Sequence, residues 1–231
     1  MHANLRPEQL RAARRLAGLT QQQAAGRLRV SQAYLALIER GQRPVTAELR
    51  PRLVGLYELG PLALPLDAGK AEKWGSSSMA AGLAALGYPG FRHLAGARRH
   101  NPATLLLAAL AADQVEVRVL EALPWVAVEY NNLDWEWLVS EVKVRDLQNR
   151  LGFVVTLARQ VAEKRREVSV AVRLREVEEI LCRARLVRED TLCQASLSQA
   201  ERRWLRRTRP TEARYWKLLS DLRVQLLPYA S

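Results

Sequence analysis

The sequence predicts an all-α chain of 231 residues, with short helices near the N-terminus and a larger, bundle-like helical part after them. Three observations predict it. Thr20 and Ser31, both N-cap residue types, each precede apolar residues at helical spacing, and Gly41 closes the second of these segments. Much later, two apolar stripes step by four, three, four and three residues: Leu147, Leu151, Val154, Ala158, Val161, then Val170, Leu174, Val177, Leu181, Ala184. Strand-like alternation occurs only briefly, at 168–172, where it also fits the second stripe.

The elements follow in order. Ala24, Ala25 and Leu28 mark one face of a helix opened by Thr20; Leu35 and Ile38 mark one opened by Ser31. A second helix that starts Ser31-Gln32, with polar side chains on its first turn, can enter a DNA major groove. Gly60-Pro61 and Pro65 break helix, and the run 75–78 is either flexible or the start of a helix, so 61–78 reads as a linker with a boundary near residue 70. From 79 onward helix follows helix. Residues 105–112 follow Pro102, which suits a first helical turn. Residues 117–130 contain Pro124 and are either kinked or two pieces. Asp134 caps a helix beginning at Trp135. The two stripes, separated by the mostly charged 163–169, either pack together as a hairpin or offer one stripe to a dimer interface, and both can hold. Ser198 and Glu201 have capping-box spacing before Trp204, and Pro210 opens a last helix carrying Tyr215, Trp216, Leu218 and Leu219. Trp125, Trp135, Trp137, Trp204 and Trp216 read as core anchors. Arg202, Arg203, Arg206, Arg207 and Arg209 form a solvated face, a second phosphate contact or a dock for an acidic partner.

Leu19-Thr20-Gln21, Ala25, Val30-Ser31-Gln32 and Ile38-Glu39-Arg40-Gly41 stand at fixed spacing, with a basic helix before them and more helix after. On these positions residues 6–59, about a quarter of the chain, resemble the Cro and phage-repressor (Xre) type of helix-turn-helix domain. The resemblance implies five helices, at 7–17, 21–28, 32–40, 47–53 and a short closing turn near Tyr57. It implies that Gln21 donates to a phosphate. Gln32 and Ala33 begin the recognition helix, where a Gln can bond adenine N6 and N7 and an Ala can meet a thymine methyl. Tyr34 and Leu37 lie on the same exposed stripe, and Arg40, Gln42 and Arg43 reach the backbone. Arg14 and Glu39 match a partly buried ion pair between the first and third helices. Two positions depart from the pattern. Arg29 stands where the turn usually has Gly, and Leu37 where a polar base reader is common, so the operator is not deducible from these side chains.

Charge agrees with a polyanion partner. The net charge is +12; residues 1–60 hold ten Arg and four Glu, hence +6, leaving +6 for a remainder nearly three times as long. Arg-rich usage also reflects a GC-rich genome, since 31 of the 36 basic residues are Arg. The polar N-terminus lacks a secretion signal's apolar core, and no apolar run reaches membrane-spanning length. Cys182 and Cys193 lack zinc-site spacing and read as free thiols, with a disulfide between them as the alternative. No metal and no cofactor is expected.

An enzyme is not expected either. His2, His93 and His100 have no nucleophile or carboxylate pair beside them, and no phosphate loop or hydrolase motif occurs. Asp134, Glu136 and Glu141 read as an acidic solvated face, with a metal held on one helical face as the alternative. The expected function is a cytoplasmic, nucleoid-associated DNA-binding regulator, a homodimeric repressor on double-stranded DNA, with domains 1–60, linker 61–78 and a helical domain 79–231 for dimerisation, effector or partner binding. The alternative is an antitoxin or adaptor whose helical domain neutralises a partner protein, with the aromatic-rich 125–138 as docking surface.

Overall fold

Caps and turns divide the first 66 residues into short helices. A computed structural model of the protein describes residues 7–71, 74–94 and 99–230, which fall into two units, 1–66 and 67–231. His2, with the rest of 1–6, and residues 72 and 73 lie outside the described residues.

The first unit holds α1 (Pro7–Leu16), α2 (Gln21–Leu28), α3 (Gln32–Glu39) and α4 (Leu49–Leu56), followed by a 3-10 turn at Pro61–Ala63. Proline opens α1, where its missing N–H goes unneeded, and Gly18 in a left-handed conformation (φ 66°) stops the chain after it. Leu10, Leu28, Leu35, Ile38 and Leu53 meet in the core, none more than 1% exposed. The fourth helix runs later than 47–53. Thr46 Oγ1 accepts from Leu49 N at 3.3 Å, which delays the start, and the helix carries through Gly55 because buried Leu53 and Tyr57 anchor its last turns.

The expected linker, 61–78, contains that 3-10 turn, α5 (Ala68–Ala71) and the start of α6 (Ser76–Ala85). Ala63 packs on the first core, whereas Asp67 N donates to Thr104 Oγ1 at 3.2 Å in the second unit.

The second unit is a helical bundle: α6, α7 (Pro102–Ala111), α8 (Val117–Glu129), α9 (Trp135–Val144), α10 (Gln148–Lys164), α11 (Val168–Arg183), α12 (Gln199–Thr208) and α13 (Thr211–Tyr215). Asn101 caps α7, and Asp134 caps α9 by accepting from Trp137 N at 3.0 Å. Helix α8 is one helix through Pro124, held by buried residues on both sides of it. α10 and α11 pack against each other as a hairpin, turned by Arg166 at φ 62°. The middle of the second stripe is a one-sided face, with Leu174, Val177 and Leu181 buried, whereas its ends Val170 and Ala184 are only half-buried and Ala171 takes the buried place beside Val170. The first stripe is not one-sided: α10 is buried all round from Gln148 to Ala158, because α8, α9 and α13 cover its other sides. Two of its interior polar side chains find partners far along the chain, while the buried Gln148 Oε1 meets none among the described residues. Asn149 exchanges hydrogen bonds with both backbone groups of Leu186, and Arg150 Nε meets Asp190 Oδ2 at 2.8 Å.

Three expectations fail here. The last helix stops at Tyr215: Lys217 is left-handed (φ 57°), and Leu218–Leu219 pair in parallel with Asp190–Thr191 as a two-residue β-ladder, too short to leave an alternating pattern. Trp204 is no core anchor but 54% exposed, because α12 buries only Leu205. Half of the stretch 125–138 is buried, Trp125, Leu133, Trp135 and Leu138 among it, and Trp137 is only half-buried, so its aromatic rings do not form one exposed docking surface.

Cys182 and Cys193 are unbonded thiols, and burial pushes Cys193 up to about 11. Among the described residues no group of three His, Cys, Asp or Glu is placed to hold a metal ion, and no helix is long and apolar enough to cross a membrane. Of the acidic trio on α9, Asp134 is the cap already described and Glu141 pairs with Arg145 at 2.5 Å.

Candidate nucleic-acid interface

Two caps and one strained residue fix the angle between α2 and α3. Thr20 Oγ1 accepts from Gln23 N at 3.2 Å while Gln23 Oε1 accepts from Thr20 N at 2.9 Å, a complete capping box. Ser31 Oγ accepts from Tyr34 N at 3.1 Å. Between them Arg29 is left-handed, φ 55° and ψ 47°, with its N–H and that of Val30 closing α2 onto Gly26 O and Ala25 O.

That conformation costs an L-residue about 1–2 kcal/mol, of which glycine would return part through its larger unfolded-state entropy. The Arg29 side chain is exposed. Arg29→Gly is therefore expected to stabilise the first unit by about 0.5–1 kcal/mol. Denaturant unfolding followed by far-UV circular dichroism reads this; a lower midpoint would mean that the Arg29 side chain contributes contacts outweighing its strain.

Helix α3 has two sides. Leu35, Ile38 and Glu39 are buried, and Gln32, Ala33 and Arg40 are exposed. Tyr34 and Leu37 do not share a fully exposed stripe: both are half-buried, and Tyr34 leans on the core. At about 100° per residue Tyr34 falls roughly 100° from Ala33, at the edge of the presented face. Arg40 Nε donates back to Ala36 O at 3.2 Å, leaving its other guanidinium donors outward. Gln42 and Arg43 follow in the exposed turn after α3.

Under α3 lies a polar cluster that holds it to α1 and α2. Arg14 Nε and Nη2 reach Glu39 Oε1 and Oε2 at 2.7 and 3.1 Å, and Arg14 Nη1 donates to Leu19 O. The hydrogen bond to Glu39 raises the Arg14 guanidinium above its ordinary pKa. Gln21 Nε2 donates to Glu39 Oε2 at 3.1 Å, so its amide is engaged inward and only one amide hydrogen remains for a phosphate. Burial, with Glu39 adding, pushes the Tyr57 hydroxyl up to about 12.

Two positioning residues escape a reading of the sequence. Arg11 Nη2 donates to Glu39 O at 2.9 Å, and Arg52 Nη1 to Leu28 O at 3.3 Å, each satisfying a carbonyl at the end of a helix distant in sequence. Basic residues on a basic domain carry no local sign of such partners.

A tight turn between two capped helices, the second rooted by one face and polar at its exposed start, is the helix-turn-helix unit of DNA-binding regulatory proteins. Residues 8–65 match a family model described as a helix-turn-helix domain, in keeping with the Cro and phage-repressor likeness. No curated protein and no solved structure matches the chain significantly.

Proposed function

We propose that the protein is a sequence-specific transcriptional regulator, a dimeric repressor in the cytoplasm and on the nucleoid, that occupies an operator through α3. One observation carries this reading: Leu35, Ile38 and Glu39 root α3 while Gln32 and Ala33 stand exposed on its first turn. Gln32 bonds adenine, Ala33 and Leu37 meet thymine methyls, and Arg40, Gln42 and Arg43 contact phosphates, with Gln21 and Tyr34 at the margin. Recognition helices of this kind work in pairs about 34–36 Å apart. The helical region 79–231 is the dimerising and sensing module of such a regulator, joined through 61–78 to the reader in 1–60.

A second reading makes the protein an antitoxin whose helical unit holds a partner protein. An apolar groove between α9 and α11, of about 400 Å³ and floored by Trp135, Val139, Val177 and Ile180, favours it. Stoichiometric co-purification with the product of the neighbouring gene would support that reading; a thermal shift with small molecules would point to an effector instead.

The test is a gel-shift titration of the full chain on DNA upstream of its own gene against random DNA of equal length, near physiological salt. A preference of about 10³-fold or more is expected. Gln32→Ala should reduce that preference by about 1–3 kcal/mol, whereas Arg43→Ala should weaken binding to all sequences alike and lower the salt slope by about 1. Equal binding to both DNAs by the wild type would remove the specific reading.

A further inference from the structure

Helix α12 rests on the bundle by one residue. Of Gln199–Thr208 only Leu205 is buried. At about 100° per residue, Arg202 and Arg206 fall within about 100° of Leu205, toward the protein. Both are engaged there: Arg202 Nε and Nη2 donate to Leu197 O and Ala195 O at 3.1 and 3.0 Å, and Arg206 Nε lies 2.7 Å from Glu189 Oε1. Arg209, just past the helix, takes the other oxygen of Glu189 at 3.0 Å.

Arg203 and Arg207 fall about 160° from Leu205 on the opposite side, one turn apart. Both are exposed, and neither meets a carboxylate or carbonyl among the described residues. Trp204 stands on the flank beside them, about 100° from Leu205 on the side away from Arg206, and is 54% exposed. The one carboxylate of the helix, Glu201, is held at its N-terminus by the capping box with Ser198. Arg207 in the last turn also answers the helix dipole, but Arg203, in the first half, does not. The outward face therefore carries two guanidinium forks and an indole N–H, side chains that donate and cannot accept.

A donor-only face fits a ligand made of acceptors with negative charge. We propose that this face of α12 is a second, sequence-independent contact to the DNA phosphate backbone, made by Arg203, Arg207 and Trp204. Four residues of helix span about 6 Å, close to the axial rise of two phosphate steps along one strand, about 3.4 Å each. The proposal rests on the DNA-binding reading above. A duplex held by α3 is at raised effective concentration for the rest of the same chain, which favours DNA over a separate acidic protein.

The test measures binding of the full chain to a random duplex over a salt series, for wild type, Arg203→Ala/Arg207→Ala, the milder Arg203→Gln/Arg207→Gln, and Arg43→Ala. Loss of two phosphate contacts should lower the slope of log K against log salt by about 1.8 in both double variants. Trp204→Phe should lose the part of the DNA-induced tryptophan quenching that this residue supplies. Unchanged slopes in both double variants, with a lowered slope in Arg43→Ala, would overturn the proposal and leave the DNA-binding reading standing. No binding by wild type at any salt would overturn both. If the double variants keep their DNA slopes but lose a retention on poly-L-glutamate that wild type shows, the face serves an acidic protein and the proposal fails.

Discussion

Glu39→Ala is expected to unfold the DNA-binding unit while leaving the helical unit folded. Glu39 is 2% exposed and receives two hydrogen bonds from Arg14 and one from Gln21. Removing it strands the Arg14 guanidinium, whose side chain is only 11% exposed, with no counter-charge in a low-dielectric site. Breaking a buried pair from one side costs about 3–5 kcal/mol. A unit of this size has roughly 3–9 kcal/mol of stability in all, so the loss removes most of it.

The chain supplies its own reporter for this prediction. Residues 1–66 contain no Trp; all six lie beyond them. In a denaturant titration the variant should lose part of its helical circular dichroism early, with the tryptophan transition in place. DNA binding should disappear with the early phase. The pair is not expected to contribute as much as its rupture costs, so Arg14→Leu/Glu39→Leu should recover much of the loss. If Glu39→Ala shifted both transitions together, or neither, the independence of the unit or the role of the pair would be wrong.

The first unit was legible because its determinants are local. Thr20, Ser31 and Gly41 act within one turn of themselves, and a cap is read from the residues beside it. Even there the reading thinned where contacts become distant: Gln21 turned inward because Glu39, eighteen residues on, accepts from it. The second unit was legible as helices and illegible as surfaces. Periodicity found the buried face of α11, but α10 is covered on every side, so its stripe of five residues understated what is interior. Trp204 and Trp216 look alike in sequence. One is 54% exposed and the other fully buried, and what separates them is which neighbouring elements α12 and α13 meet, α13 packing on α10.

Trp216 carries the second large effect, through a residue with no side chain. Local propensity says that Gly152, inside a helix, should be improved by Ala by about 0.5–1 kcal/mol. Packing says the opposite. A Cβ on Gly152 would lie 2.4 Å from Trp216 Cη2 and Cζ3 and 2.6 Å from Cε3. The ring cannot step aside freely, since its Nε1 donates to Thr156 Oγ1 at 2.8 Å, one turn along the same helix. The Thr156 hydroxyl has one proton, and Glu178 Oε1 at 2.6 Å is its charged acceptor; Glu178 is in turn held by Arg159 Nε. Gly152 and Thr156 thus form a seat that fixes the indole by its face and its N–H, with α11 bound to the same network through Glu178. Overpacking costs about 1–3 kcal/mol, and expelling a buried Trp about 3–5. Gly152→Ala is therefore expected to destabilise the second unit by about 2–4 kcal/mol, after the propensity gain is subtracted. Its tryptophan transition should move to lower denaturant, with the first unit's circular dichroism transition unmoved. Trp216→Leu should cost stability alone yet make Gly152→Ala nearly harmless, because the added methyl then meets space; such coupling is the mark of direct contact. A gain of about 1 kcal/mol from Gly152→Ala in the wild-type background would mean that propensity wins and that the indole does not rest on Gly152.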